Sequence, residues 1–497
     1  MKQFLIIPLG GLGKRFIKEG YSTYKPFLKT SKQDTVIDRI INNFPKNTQL
    51  IIIGNEKKFN TIKQGIKKKN TIFIKIKNHN SGPVFSLFLA RKKICKIIKN
   101  EDFFISYSDI NWNWNFNNVK KFIANKKITI FSHMGFHPHL ELDKRSDFFS
   151  TNKRKKVNKV SEKKLIKKNY IKNNLAIGCY YFKKFHFFKK FFDSSDFKKQ
   201  VRKKEIYIIN LLNYCIKKKI EIDFYNLKNF VHLGLPNQFE DFIHWKKIIT
   251  NQFYKKLNLN FPSIMLMAGK GKRVKALKEK KPFLKIKNQN IYEYILKKFG
   301  SNKKYIISNN NYFKQIHKKY ELCKITKTNS MLQTIEKSLS FFKNKKNFFI
   351  LSCDCFGHFD SKGFEKFIKL SNPDVVLFSF KISKFQKLIS NSHTTIEIIQ
   401  NRIQSINVKK YLNSKNEFGH AGFFWIKNNE IFNHLKYFHQ KNRLKREILL
   451  DDYFKFLFDK NLCKVRNFDL DQYIHLGSIK EYSEFKYWEN YFENENK

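Results

Sequence analysis

Two short stretches carry residues that could do chemistry on phosphates. Near the N-terminus "FLIIPLGGLGKRF" (Phe4–Phe16) runs an apolar segment into Gly10, Gly11 and Gly13, and then into Lys14-Arg15. From Ser263, "SIMLMAGKGKRV" repeats the pattern with Gly269, Gly271 and Arg273. A strand that ends in closely spaced glycines presents backbone N–H groups with no side chain in the way, and a following helix favours an anion there. The competing reading is a tight turn that needs glycine only for its left-handed backbone. Two further landmarks weigh against it. "KPFLK" follows each turn, beginning at Lys25 and at Lys281, and an apolar run ending in Asp comes later, "FFISYSD" at Asp109 and "FFILSCD" at Asp354. Neither turn is a Walker loop, since GxxxxGK(S/T) is absent, and neither matches the GxGxxG dinucleotide fingerprint with its acidic partner.

The recurrence extends along the whole chain. "IGCYYF" with Gly178 resembles "AGFFWI" with Gly422, "VHLG" at Gly234 resembles "IHLG" at Gly477, and Trp245 corresponds to Trp488. The landmarks keep their order while their separation falls from 258 residues at the Gly turns to 243 at the last pair. An ordered internal repeat of this kind means two related domains. They are expected at 1–250 and 262–497, with the seam in "NQFYKKLNLNFP".

The elements that must position these residues follow from hydrophobic pattern. Within the first half, strands are expected at Phe4–Pro8, Leu50–Gly54, Thr71–Ile76, Phe103–Ser106, Ile128–Phe131, Ala176–Phe182 and Ile220–Tyr225. Helical spacing occurs at Thr35–Asn43, Lys57–Lys68, Val84–Ile98 and Val119–Ala124. Such alternation implies an α/β fold: two tandem Rossmann-like domains, each a mostly parallel sheet with helices on both faces. The 497 residues are 41% hydrophobic with only 9 Pro, enough apolar material for two cores. The formal charge of +60 first suggests nucleic acid or a membrane surface. The excess is mostly Lys, travels with Asn, Ile, Phe and Tyr, and is spread along the chain, which fits an AT-rich codon bias better than a binding arm. The charge would also help gather anionic substrates. The 7 Cys are scattered without a CxxC pair, which fits a reducing cytoplasm, and no apolar run approaches a membrane span.

The ordered set G-G-x-G-x-R, K-P and a strand ending in Asp resembles the sugar-phosphate nucleotidyltransferase family, over both halves. The resemblance continues at "VNKVSEKK" (Val157–Lys164), "AIGCYYF", "VHLGLPNQFEDF" and "GFHPHLE" (Gly135–Glu141). It implies a GT-A-like fold and transfer of a nucleotidyl group from a nucleoside triphosphate to a sugar phosphate or related phospho-alcohol. Pyrophosphate leaves, and the NDP-sugar-type product feeds capsule, lipopolysaccharide or other surface glycan. The resemblance further implies that Gly10, Gly11 and Gly13 wrap the triphosphate, Arg15 holds the leaving pyrophosphate and Lys25 contacts oxygens near the reacting phosphorus. Asp109 would bind Mg²⁺, with Asp354 its counterpart. Ser81 and Gly82 in "NSGPVFSL" would lie near the base and sugar, Gly269, Gly271, Arg273 and Lys281 would bind nucleotide in the second half, and Glu162, Lys163 and Gly178 would hold the acceptor. The histidines of "SHMGFHPH" (His133, His137, His139) are read as core or substrate-lining rather than a metal cluster.

The pattern breaks in two places. Where the family carries a second metal-binding Asp, this chain has His232 and His475, and imidazole is a poor ligand for Mg²⁺. Another carboxylate could substitute, and Asp469, Asp471 and Asp241 are the nearest along the chain. In the second half the counterpart of Glu162 is Val408, although Lys409 is kept. That half is then a second enzyme with a different acceptor, a degenerate copy that packs against the first, or a regulatory nucleotide-binding copy. The other readings of the whole chain are a GT-A glycosyltransferase, a nucleotide-sensing scaffold and a basic nucleic-acid-binding protein. The first would need an Asp-x-Asp motif where this chain has Asp109-Ile-Asn111 and Asp354-Cys-Phe356.

Overall fold

The computed structural model describes residues 3–140, 146–202, 205–250, 256–269, 271, 277, 279–301, 303–317, 319–382, 394–411, 415–442 and 447–495. Its contacts divide the chain into two compact units, unit 1 being Met1–Trp245 with Tyr487–Lys497 and unit 2 being Lys246–Lys486. By contacts, residues 246–250 group with unit 2 and 487–497 with unit 1, where the sequence reading put the halves at 1–250 and 262–497. The last stretch of chain groups with unit 1 because Trp488 and Phe492 pack there against Phe242, while Trp488 also stacks on Trp245.

Unit 1 contains eleven described strands. They are β1 (Phe4–Leu9), β2 (Gln49–Asn55), β3 (Thr71–Ile76), β4 (Phe103–Ser106), β5 (Ile110–Trp112), β6 (Ile128–His133), β7 (Asp147–Thr151), β8 (Val157–Ser161), β9 (Asn174–Phe182), β10 (Asp223–Asn226) and β11 (Phe230–His232). The main sheet runs β10-β6-β9-β4-β1-β2-β3, with β7 and β8 branching from β9. Along that path β9 alone is antiparallel to its neighbours. All six residues of β1 are buried, as a strand covered on both faces must be. Phe4 and Ile6 pack with Val84 and Leu87 of helix Pro83–Ile98 and Ile208 of helix Ile208–Lys217. Leu5 and Ile7 face the other way, onto Ile37 and Ile40 of helix Val36–Asn42 and Val119 of helix Phe116–Ile123. Local chemistry starts these helices: Thr35 and Asp38 exchange the two bonds of a capping box, and Pro83 occupies the first turn of its helix.

β1, β2, β3 and β4 are parallel in sequence along the sheet, so their C-terminal ends lie on one edge. Asn55 at the end of β2 and the segments 10–13, 77–82 and 107–109 that leave the others gather there, where ligands bind in open α/β sheets. β5 and β11 form a separate antiparallel ribbon pairing Ile110 with His232, which carries Asp109 at one end.

Unit 2 repeats the plan. Its strands are β12 (Ser263–Met267), β13 (Lys285–Ile286), β14 (Gln289–Asn290), β15 (Lys304–Asn309), β16 (Glu321–Ile325), β17 (Lys346–Ser352) and β18 (Cys355–His358). Then come β19 (Val375–Phe380), β20 (Thr395–Ile399), β21 (Arg402–Asn407), β22 (Glu417–Asn428), β23 (Val465–Asp469) and β24 (Gln472–His475). The order β16-β15-β12-β17-β22-β19-β23 reproduces that of unit 1, β20 and β21 branch from β22, and β18 pairs β24 as β5 pairs β11.

Candidate active site

The glycine turn of unit 1 is fixed from behind. Gly13 has φ 71°, the left-handed conformation that favours glycine. Asn55 Nδ2 donates to the Gly10 carbonyl at 3.1 Å and the Tyr24 hydroxyl to that of Gly11 at 2.6 Å. The N–H groups of Gly11, Leu12 and Gly13 donate to no backbone carbonyl among the described residues. A Cβ on Gly11 would meet nothing within 4 Å, whereas one on Gly10 would stand 2.5 Å from Ser86 Oγ and 3.3 Å from His79 Nε2. The loop thus has one packed end and one open one. The helix that follows, Lys14–Lys18, has only five residues, so its dipole adds little, and the open amides are what this turn could offer an anion.

At the mouth of this loop Lys25 Nζ donates to Asp109 Oδ2 at 2.9 Å, the two side chains being 17% and 33% exposed. Lys25 is presented by a short turn, Lys25–Phe27, anchored by buried Pro26. The Leu233 N–H donates to the Asp109 carbonyl at 2.7 Å. A Cβ on Gly234 would come within 2.9 Å of Asp109 Oδ2, so the Gly of "HLG" gives the carboxylate its room. Burial pushes the Asp109 carboxyl up, but Lys25, His232 and Arg15 together outweigh it and hold it below the usual carboxylate range. Lys25 is the cation bonded to Asp109, while Arg15, exposed on the helix Lys14–Lys18, has the weakest of these influences on it.

A second cluster gathers the other expected residues of unit 1. Ser81 accepts at its carbonyl from the Ile206 N–H at 2.9 Å, and the Ile206 carbonyl accepts from Val84 N–H at 3.2 Å. Gly82 has φ 84°, and a Cβ there would lie 2.7 Å from the Ile206 N and O. Asn210 Nδ2 donates to Glu162 Oε2 at 3.0 Å, and Lys163 Nζ lies 4.2 Å from the Tyr207 ring centre. Gly178, at φ 97°, leaves space for the Tyr107 ring, whose hydroxyl accepts from the Ile208 N–H at 3.1 Å. The hub is the segment 205–210, with Tyr107. Sequence reasoning missed both. "EIYIIN" has no chemical signature, and Tyr107 stood inside "SYSD" read only for its Asp.

The histidines His133, His137 and His139 are buried. His139 Nε2 meets Asp241 Oδ2 at 2.8 Å, so Asp241 is committed there and is no substitute ligand at Asp109. Among the described residues no group of three His, Cys, Asp or Glu side chains is arranged to hold a metal.

Unit 2 keeps the frame and changes the contents. Asn309 Nδ2 donates to the Ala268 carbonyl at 3.1 Å, as Asn55 does to Gly10, and Gly271 has φ 58°. Arg273, Lys270 and, in the first half, Glu141 lie outside the described residues. Lys281 pairs with Asp354, as Lys25 does with Asp109. Here, however, the carboxylate is only 6% exposed and is also bonded by Ser352, the counterpart of Tyr107. His475 Nε2 lies 3.4 Å from it, while His475 Nδ1 meets Glu481 Oε1 at 2.7 Å. Burial disfavours the charged imidazole, but Asp354 and Glu481 win and raise His475 to about 9, so it is an imidazolium at neutral pH. Asp469 and Asp471 pair with Ser379 and His358. Lys409 shares the left-handed backbone of Lys163, φ 54° against 52°, and Gly422 that of Gly178.

The two carboxylates differ as cation ligands. Asp109 is partly open, and its carboxylate beside the Gly10–Gly13 turn is the hard oxygen donor that a divalent cation takes. Asp354 is enclosed by an ammonium, an imidazolium and a hydroxyl, and does not fit one.

No family model and no curated protein sequence matches the chain. Among solved structures, the chain is similar to a nucleoside-diphosphate-sugar pyrophosphorylase from Vibrio cholerae, at 18% identity and TM-score 0.40, over 48% of this chain and 99% of that one. It is also similar to an inositol-1-phosphate CTP transferase from T. maritima, at 16% identity and TM-score 0.37, over 46% of this chain and 96% of that one. A UTP-bound UGPase from Acinetobacter baumannii aligns at 12% identity and TM-score 0.39, over 50% of this chain and 94% of that one.

Proposed function

We propose that unit 1 transfers a nucleotidyl group from a nucleoside triphosphate to a sugar phosphate or related phospho-alcohol. The observation that carries this reading is the Lys25–Asp109 contact at the Gly10–Gly13 loop. A phosphate oxygen of the acceptor attacks the α-phosphorus, the bond from that phosphorus to the α–β bridging oxygen breaks, and pyrophosphate leaves with the electron pair. The chain's part is positioning and charge neutralisation. Amides of the loop cradle the triphosphate, Arg15 takes the leaving pyrophosphate in its planar fork and Lys25 neutralises the reacting phosphate. Asp109 would hold Mg²⁺, which supplies further neutralisation of phosphate charge. Glu162, Lys163 and Gly178, with Tyr107 and the segment 205–210, form the acceptor side. A cytoplasmic role in making precursors of surface glycan fits this chemistry, and among the described residues no helix is long and apolar enough to cross a membrane.

The glycosyltransferase reading loses its motif. Asn111, third in Asp109-Ile-Asn111, is buried and bonded to Asn43 and Tyr491, and Phe356 is fully buried. The enclosed Asp354 favours a unit 2 that does not turn over. The test is pyrophosphate release, screening each common triphosphate against sugar 1-phosphates and phospho-alcohols. Turnover that Asp109→Ala abolishes and Asp354→Asn retains is the expected result. Release lost only with Asp354→Asn would overturn the assignment to unit 1.

A further inference from the structure

The ribbon that carries Asp109 has three residues in each strand and lies outside the main sheet. An isolated pair of strands is marginal in water, so something must hold it. Ile110, Trp112 and Phe230 anchor it in the unit 1 core, and the helix Ile479–Glu495 adds the hydrogen bonds that fix its backbone. Asn111 Nδ2 donates to the Tyr491 hydroxyl at 2.9 Å and Asn113 Nδ2 to the Tyr491 carbonyl at 2.9 Å. On the opposite strand the Phe230 N–H donates to the Tyr487 hydroxyl at 3.1 Å, and that hydroxyl donates back to the Phe230 carbonyl. Tyr487 and Tyr491 are one helical turn apart, on one face of helix Ile479–Glu495. Both belong to unit 1 by their contacts and both are buried. Each strand of the ribbon is thus gripped by one tyrosine, next to the residue pair Ile110–His232 from which Asp109 projects.

We propose that Tyr487 and Tyr491 are positioning residues that set Asp109 against Lys25, so that the last turns of the chain complete the site of unit 1. Neither hydroxyl reaches the carboxylate; both act through the ribbon backbone and Asn111. Burial with a bonded backbone partner makes each a rigid contact, and a shift of about 1 Å in a reacting group can cost up to about a hundredfold in rate. In its kinetic arm the inference rests on the transferase reading above; in its chemical arm it does not.

The experiment uses the full chain with Tyr487→Phe, Tyr491→Phe and the double variant, which keep the rings and remove only the hydroxyls. Tyr453→Phe, which removes a buried hydroxyl bonded to the Ile431 carbonyl in unit 2, is the control. The double variant is expected to lower kcat about tenfold with KM changed less than about twofold. Acylation of Lys25 by acetic anhydride, read by mass spectrometry, should speed up several-fold as the ion pair loosens. Asp109→Asn should give the same increase, with none added when the variants are combined. Unchanged kcat together with unchanged Lys25 acylation would overturn the proposal, as would an equal fall in kcat with Tyr453→Phe. If the double variant does not fold, the single variants decide by the same two readings. If the wild-type chain releases no pyrophosphate with any pair, the transferase reading fails and Lys25 acylation alone judges this one.

Discussion

At Asp109 two forces oppose each other on one carboxyl. Burial raises it, and the cations around it lower it further than burial raises it. A depressed native pKa contributes stability that is fully present above the unfolded value near 3.8 and is lost as pH falls through the native one. Asp109 therefore stays ionised across the working range and sets no rate limb near neutrality. Asp109→Asn, which keeps the size and removes the charge, is expected to cut pyrophosphate release by at least about a hundredfold, at every pH between about 6 and 9. A variant that recovers rate at one end of that range would mean the carboxylate acts as a proton carrier instead. His475 shows the opposite sign. Its pKa is raised to about 9 by Asp354 and Glu481. Its contribution is therefore complete below about 6.5 and is lost as pH rises through about 9. Thermal melts should show unit 2 weakening over that window. His475→Gln should be less stable at pH 6 by about 3 kcal/mol and lose the pH dependence. An unchanged slope in that variant would place the titrating group elsewhere.

The glycine loop is an element whose tolerance can be reasoned in advance. Gly10 fails as alanine on space alone, because Ser86 Oγ would be 2.5 Å from the new Cβ. In unit 2 the matching position is already Ala268, with the same carbonyl contact from Asn309. Gly10→Ala should therefore weaken nucleotide binding about tenfold by calorimetry, and Ser86→Ala in the same chain should restore most of it. Gly82→Ala should not be rescued by any side-chain change, since its obstacle is the Ile206 backbone and its φ is 84°. This contrast matches what the sequence could convey. Strand β1, the Gly turn, Lys25-Pro26 and Asp109 were legible because each is a local pattern and each recurs. The β5–β11 ribbon was not, because "INW" and "FVH" are too short to show a period and pair across more than a hundred residues. The strand expected at Ile220–Tyr225 begins only at Asp223, since Ile220 and Ile222 serve the preceding turn and the β8 contact. The enclosure of Asp354 was equally hidden: His475 was visible as a departure, but its second partner Glu481 lies on the next helix.

At the scale of the whole chain the question is what a charge of +60 does. The 100 Lys and Arg far outnumber the 40 Asp and Glu, and the excess is spread along the chain. Among the described residues, Lys25 bonds Asp109 and Lys163 stands beside Tyr207. Lysines spread along the chain act on an anion through their summed field. A surface potential of this sign raises the encounter rate of a tetra-anion, and salt removes the gain as the screening length falls from about 14 Å at 0.05 M to about 4 Å at 0.5 M. Under the proposed function, phosphates held by the loop amides and Lys25 would be screened far less. The expected result is a KM for the triphosphate that rises about threefold to tenfold across that range, with kcat changed by less than about twofold. If kcat falls with salt instead, the contacts at the reacting phosphate are more open than the 17% exposure of Lys25 indicates. If neither moves, the excess lysine does nothing for substrate capture and is compositional drift carried on a working fold.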